Sequence, residues 1–296
     1  EELFPLELMY CSQCHLCQLS YVMPPEKMYK HNVYVTSTTE TFKQHFRQMA
    51  ESLTNKFNLN QSSLVVDIGS NDGLLLNHFK DAGIRVFGVE PAENIAYIAR
   101  NNGIDTISDF FNENAVQDII RIKGKADIIT ANNVFAHVGN IKDLTQNIKS
   151  LLKSDGVFVI EVQYLLDTIQ KLIFDNIYHE HLSYFSVLSL QEFFNRQDMD
   201  IFDIEHVDSH GGSIRVFIQR KDGKHPANKS VSGFIQQEKM AGLDKLETYE
   251  QFAEKVYAVR DKFRNFIALV KKNGKRIVGY GAPAKATTFL NFCGVD

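Results

Sequence analysis

The chain has 296 residues, with 32 Lys and Arg against 36 Asp and Glu for a formal net charge of −4. Hydrophobic residues make up 44% and charged residues 23%, the balance of a globular protein long enough for two domains without disulfide staples. The slight acidity and the lack of a Lys/Arg stripe argue against a nucleic-acid binder, and no apolar run reaches the roughly 18 residues of a membrane span.

Residues 1–37 lack clear periodicity and hold Cys11, Cys14 and Cys17, Pro24-Pro25, and Tyr21, Tyr29 and Tyr34. The Cys spacing is metal-like rather than disulfide-like and predicts a reducing, cytoplasmic setting. This stretch reads as a small irregular module that buries little core alone. From Thr38 the pattern turns helical: Phe42, Phe46, Met49, Leu53 and Phe57 recur at steps of three or four, with Thr38 and Thr39 as caps.

An α/β alternation follows. Strands fit Leu64–Ile68, Arg85–Glu90, Ile104–Ile107, Ala126–Thr130 and Val157–Glu161, with helices such as 72–82 and 92–100 between them. Short apolar strands separated by helices mean parallel βαβ units. After Tyr164 the order changes. A helix fits 165–174, a polar segment occupies 175–186, and a helix capped at Ser189 follows. Ile201–His206 and Ser213–Gln219 are joined by a loop and predict an antiparallel pair. Residues 220–230 read as a linker and 231–272 as charged helix. Lys275–Tyr280 predicts a new strand that opens a further α/β domain. The chain opens on Glu1 without Met and stops soon after that strand, so a fragment cut at both ends is expected.

Two stretches carry chemistry. The first is Val65-Val66-Asp67-Ile68-Gly69-Ser70-Asn71-Asp72-Gly73, a strand running through a turn into a helix. Gly69 allows close backbone approach and Gly73 close helix packing. It is not the dinucleotide fingerprint: a pyrophosphate would favour a helix start without Asp72. Carboxylates suit a cofactor with a cationic centre and an ammonium, which favours S-adenosylmethionine over NAD. Glu90 ends the second strand about 20 residues on, where an acid accepts from both ribose hydroxyls. Asn132 and Asn133 follow the fourth strand and could bond the cofactor's amino-acid end, while Asp109 and Phe110 could flank its adenine. His137 reads as locally bonded structure.

The second stretch packs Tyr178, His179, Glu180, His181 and Tyr184 into seven positions. A metal site, a structural polar cluster and general acid/base chemistry compete as readings. His179 and His181 do not have the i, i+4 spacing of a zinc protease helix. A His has the proton affinity, a Tyr can hold an oxyanion, and a Glu can orient a His. Later in the chain, His210-Gly211-Gly212-Ser213-x-Arg215 offers polar groups beside two Gly.

These motifs make the chain recognisable. Cys11-Ser12-Gln13-Cys14, Tyr34 with Ser37, and Ser70-Asn71-Asp72-Gly73 appear in order. Asn133–Val138, Ile177–His181, His210–Arg215 and Gly279–Lys285 follow. Over nearly its whole length the chain resembles the sugar-nucleotide C-methyltransferases that methylate C3 of a dTDP-4-keto-deoxy sugar. The resemblance implies a Rossmann-like seven-stranded class I methyltransferase domain over 38–222. A partial zinc-binding module over 1–37 precedes it, and a helical connector with the start of a C-terminal domain over 223–296 follows.

It also implies the roles. His181 removes the C3 proton, Tyr178 bonds the keto oxygen or its enolate, Glu180 orients groups or binds a hydroxyl, and Tyr34 joins them. Asp67, Gly69, Asn71, Asp72, Gly73, Glu90, Asn132 and Asn133 face S-adenosylmethionine. His210, Gly211, Ser213, Arg215 and Lys285 face the nucleotide sugar. Cys11 and Cys14 match one pair of a four-Cys zinc site, whose other pair would lie upstream. The rival readings are a small-molecule O- or N-methyltransferase and a non-catalytic cofactor-binding fragment.

Overall fold

A computed structural model describes residues 4–29, 35–281 and 284–295. Two short strands, β1 (Leu8–Tyr10) and β2 (Cys17–Leu19), pair across the turn that holds Cys11 and Cys14. The one-turn helix α1 (Pro25–Tyr29) and the long α2 (Glu40–Lys56) follow. Thr39 caps α2 by accepting the Phe42 N–H at 3.4 Å, as the sequence predicts. The alternation then runs β3 (Leu64–Ile68), α3 (Leu74–Asp81), β4 (Arg85–Val89), α4 (Glu93–Asn101), β5 (Thr106–Ile107), α5 (Glu113–Lys123), β6 (Ala126–Asn132), α6 (Ile141–Leu151) and β7 (Leu152–Gln163). Next come α7 (Leu165–Gln170), β8 (Ser183–Tyr184), α8 (Val187–Arg196), β9 (Met199–Val207) and β10 (Ser213–Arg220). Helices α9 (Lys229–Met240), α10 (Leu246–Lys272) and α11 (Ala284–Cys293) end the chain.

The described residues build a seven-stranded sheet in the order β5-β4-β3-β6-β7-β10-β9. Neighbours from β5 to β7 are parallel, and β10 runs antiparallel to both β7 and β9. All five residues of β3 are buried, as a strand covered on both faces requires. Leu64, Val66 and Ile68 pack into one layer with Ile119, Ile148 and Leu190. Val65 packs into the other with Met49, Leu53 and Phe79. Strand order reverses at β3 and β6, so a crevice opens beyond their carboxyl ends.

Four expectations change. The N-terminal hairpin is not a separate module: β2 pairs with β8, and Cys17 and Leu19 join the main core. A lone hairpin is marginal in water, so it takes a third strand from the domain. The cap of α8 is Ser186, one turn before Ser189, and the two hydroxyls and amides bond reciprocally. Of Ile104–Ile107, only Thr106–Ile107 forms strand. Lys275–Tyr280 forms none; its Val278 and Tyr280 are exposed. A strand there needs a neighbour for its backbone hydrogen bonds, and no described segment lies beside it.

Candidate active site

The turn after β3 shapes one end of the crevice. Gly69 sits at φ +65°, and a Cβ there would lie 2.5 Å from Val134 Cγ2. The missing side chain therefore makes room for Val134 rather than for a ligand. Gly73, at φ +81°, starts α3 tight against Ile104. Glu90 accepts the Asn71 N–H at 3.0 Å and the Ala92 N–H at 2.9 Å. Burial pushes its carboxyl up, against the pull of those two donors.

Asp67 is buried beside it and takes a hydroxyl bond from Thr130 at 2.6 Å. Burial raises its carboxyl to about 7, opposed by Thr130 and assisted by Glu90. The side-chain oxygen and nitrogen of Asn132 are buried with no partner among the described residues.

One cavity of about 1260 Å³ joins these groups to the second chemical stretch. Asp67, Gly69, Asn71, Glu90, Phe110, Asn132 and Asn133 line one part, and Tyr178, Glu180, His181, His210 and Lys285 another. Asp72 and Gly73 lie outside the lining. Asp72 accepts the Ser37 N–H at 3.2 Å, and Asn71 Oδ1 accepts the Thr36 N–H at 2.9 Å, so both tie the 35–38 segment to the turn. Asp109 also stays outside, bonding Phe110 N and Asn112 Nδ2.

His181 is the best-defined titratable group. Its Nδ1 lies 2.7 Å from the Asn176 carbonyl oxygen. A carbonyl only accepts, so Nδ1 carries the proton. Nε2 is left as an acceptor, 3.3 Å from the Tyr178 hydroxyl. Burial pushes His181 down to about 4 despite the carbonyl bond, with Lys285 and His210 adding to the push. Burial also raises Tyr178 to about 12, with help from Glu180. Segment 175–186 thus presents a neutral imidazole and a protonated phenol to one cavity. Tyr34 lies outside the described residues.

Several sequence assignments separate from the cavity. Arg215 is buried, with Nη2 2.9 Å from Glu161 and Nη1 3.4 Å from Glu205. Ser213 is fully buried and bonds the Ser209 carbonyl at 3.1 Å. Gly211 packs against Ile173. All three lie outside the lining: Ser213 and Arg215 belong to β10, an interior strand whose side chains are buried, and Gly211 lies in the turn before it. His179 turns to the Pro5 carbonyl at 3.1 Å, away from His181, which removes the paired-His metal reading.

Among the lining residues that sequence reasoning passed over are His137 and Tyr29. His137, pushed down to about 3 by burial, has its ring 5.1 Å from that of His181. Tyr29 stacks on His137 at 5.9 Å and reaches the Glu180 carbonyl at 3.4 Å. The signal for His137 was its place just past β6, at the crevice. For Tyr29 no local pattern existed.

The Cys cluster does not make a closed metal site. Backbone N–H groups of Cys14 and Gln13 aim at the Cys11 sulfur and lower its thiol, while burial raises that of Cys14. Cys17 is buried against Tyr249 and is pushed up to about 12. Among the described residues no three His, Cys, Asp or Glu could hold one metal ion. A structural zinc takes four ligands, so the two remaining thiols do not suffice.

Carboxylates at the ends of β3 and β4, an unpartnered amide at the end of β6 and a cavity this large fit S-adenosylmethionine. The doubly wound sheet and this crevice define a class I S-adenosylmethionine-dependent methyltransferase. Residues 41–203 match a family model described as a methyltransferase domain, and 208–296 one described as a C-methyltransferase C-terminal domain. Over 295 residues the chain is 35% identical to the C-methyltransferase NovU of Streptomyces niveus, covering 100% of this chain and 70% of that protein. It is 31% identical over 106 residues to the ubiquinone biosynthesis O-methyltransferase of Glaesserella parasuis serovar 5 (strain SH0165), covering 32% of this chain and 43% of that one. Among solved structures, magnesium protoporphyrin IX methyltransferase from Synechocystis PCC 6803 with bound SAH matches with TM-score 0.47 at 16% identity, over 60% of this chain and 83% of that one. The chain belongs to the C-methyltransferase family.

Proposed function

We propose that this C-methyltransferase acts on a nucleotide-activated 4-keto-deoxy sugar, at C3, through an enolate. The observation that supports this most directly is the tautomer of His181. Its Nδ1–H is committed to Asn176, so Nε2 faces the cavity as a base. A saturated carbon next to a carbonyl attacks a methyl donor only after a proton leaves it, and the C3 proton of a 4-keto sugar is acidic enough for an imidazole to remove. A methyl acceptor with its own lone pair would not need a carbon-acid base, and loss of His181 would matter less.

In this reading His181 Nε2 takes the C3 proton. Tyr178 donates its hydroxyl to the 4-keto oxygen as negative charge grows there, the stabilisation an oxyanion needs. Glu180, which also lines the cavity, takes a sugar hydroxyl. Lys285 contributes positive charge on the side of His181 and His210 and suits the diphosphate. Asp67, Glu90, Asn132 and Asn133 hold the cofactor's ribose and amino-acid end. When bound, S-adenosylmethionine supplies an electrophilic methyl on a sulfonium.

The test incubates the full-length protein with S-adenosylmethionine and a panel of nucleotide 4-keto-6-deoxy sugars in D2O, with mass spectrometry of the sugar. A product one methyl heavier, together with deuterium entering C3 when the cofactor is withheld, is expected. Cofactor binding with neither change across the panel would move the acceptor to another class.

A further inference from the structure

The turn between β9 and β10 is fastened from two sides by acids that the reaction above does not use. On one side Asp167, from α7, lies 2.6 Å from His206 Nε2 and 3.1 Å from Lys171 Nζ. Lys171 in turn donates to the Gly211 carbonyl at 2.8 Å. Gly212 sits at φ +134° directly over the Asp167 carboxylate, so that any Cβ there would land on its oxygen. On the other side Ser209 donates to Glu161 Oε1 at 3.2 Å, and Arg215 and His45 hold the same carboxylate. The Gly212 amide closes the turn onto the Ser209 carbonyl at 2.8 Å, and its carbonyl accepts the Tyr164 N–H at 3.0 Å.

The turn sends one side chain into the cavity, that of His210. His210 sits at φ +52°, a left-handed backbone that side-chain-bearing residues adopt infrequently. Its Nδ1 is buried with no partner among the described residues. A left-handed backbone and a buried ring nitrogen without a partner are features that the surrounding structure has to hold in place.

We infer that Asp167 is a positioning residue: with Lys171 and His206 it fixes the 208–212 turn so that His210 meets an oxygen of the acceptor substrate. This rests on the reading of the cavity given above. Asp167 touches neither the acceptor nor the cofactor. Its carboxylate holds the lysine that grips Gly211 and leaves room only for glycine at 212, and so sets the direction in which His210 points.

The experiment compares Asp167→Asn, His210→Gln and their double variant in the full-length protein. The readouts are acceptor kcat/KM, S-adenosylmethionine affinity and the His210 ring resonance by NMR. Asp167→Asn should lower acceptor kcat/KM by about tenfold to a hundredfold, the scale of a misplaced group, with cofactor affinity within about twofold. The double variant should be no worse than His210→Gln alone, because both remove one interaction. The His210 resonance should move in Asp167→Asn.

Multiplicative losses in the double variant, or an unmoved His210 resonance in a folded Asp167→Asn, would overturn the proposal. If Asp167→Asn does not fold, His206→Gln, at the half-exposed partner, carries the same comparison with a smaller loss. If the wild type methylates no acceptor in the panel, the substrate reading has failed, and the NMR comparison still decides the positioning role.

Discussion

The Nδ1 of His181 lies 2.7 Å from the carbonyl oxygen of Asn176, and this single bond decides what the imidazole can do. It fixes the tautomer, leaving the Nε2 lone pair as acceptor toward Tyr178 and the cavity. Because burial pushes His181 down to about 4, the base is neutral throughout the working range. His181→Asn is therefore expected to abolish methyl transfer and C3 deuterium exchange alike, with S-adenosylmethionine affinity unchanged by calorimetry. Tyr178→Phe should keep cofactor affinity and lower kcat by about a hundredfold, the typical loss of one oxyanion donor. A His181→Asn enzyme that still exchanges C3 would remove His181 as the base.

Gly69 and Val134 make a second prediction. Two costs fall on Gly69→Ala: a left-handed backbone at φ +65° and a Cβ 2.5 Å from Val134 Cγ2. The backbone term is about 1–2 kcal/mol. Urea denaturation should show Gly69→Ala less stable by about 2–4 kcal/mol, with overpacking supplying the remainder. Adding Val134→Ala should recover the steric part and leave the backbone part. A double variant no more stable than Gly69→Ala would mean the strain lies elsewhere.

Much of this was legible in the chain because period and position are local properties. Five buried residues in a row at Leu64–Ile68, helical spacing after Glu40 and the paired loop between β9 and β10 all follow from side-chain sequence. The crevice residues Asp67, Glu90, Asn132 and His181 were equally readable, since each ends or follows a strand. What escaped depended on distant partners. Arg215 reads as a substrate ligand until Glu161 appears across the β7–β10 pair, at Arg215↔Glu161 in register. The stretch 1–37 reads as a small irregular module until β8 joins its β2 from 165 residues on. Tyr29 reaches His137 only through the fold.

Asp67 gives a pH dependence with a definite sign. Its carboxyl is raised to about 7 by burial, so in the cofactor-free protein it is ionised above that value and neutral below. The ionised form attracts a cationic ligand. Affinity for S-adenosylmethionine should fall as pH drops through about 7, by at most about tenfold per pH unit for one linked proton. Asp67→Asn should bind more weakly at pH 8 and show a flat profile. Calorimetric titration from pH 5.5 to 8.5 measures both, and a flat wild-type profile would mean that Asp67 does not sense the cofactor's charge.

The buried pair Arg215–Glu161 predicts a stability effect where the sequence predicts a binding one. Arg215 and Glu161 are 8% and 1% exposed at the side chain, and their closest atoms lie 2.9 Å apart. Removing one partner leaves the other charge buried, a loss of about 3–5 kcal/mol for a fully buried pair. His45 still bonds Glu161 at 2.9 Å, which places Arg215→Met near the lower end. Replacing both partners, Arg215→Met with Glu161→Leu, removes the stranded charge and should cost less than Arg215→Met alone, since well-packed apolar residues can substitute for a buried ion pair. Guanidinium denaturation of the three proteins at one pH gives the comparison. If Arg215→Met matches the wild type in stability but loses acceptor binding, the arginine acts on the substrate, and its bond to Glu161 is incidental.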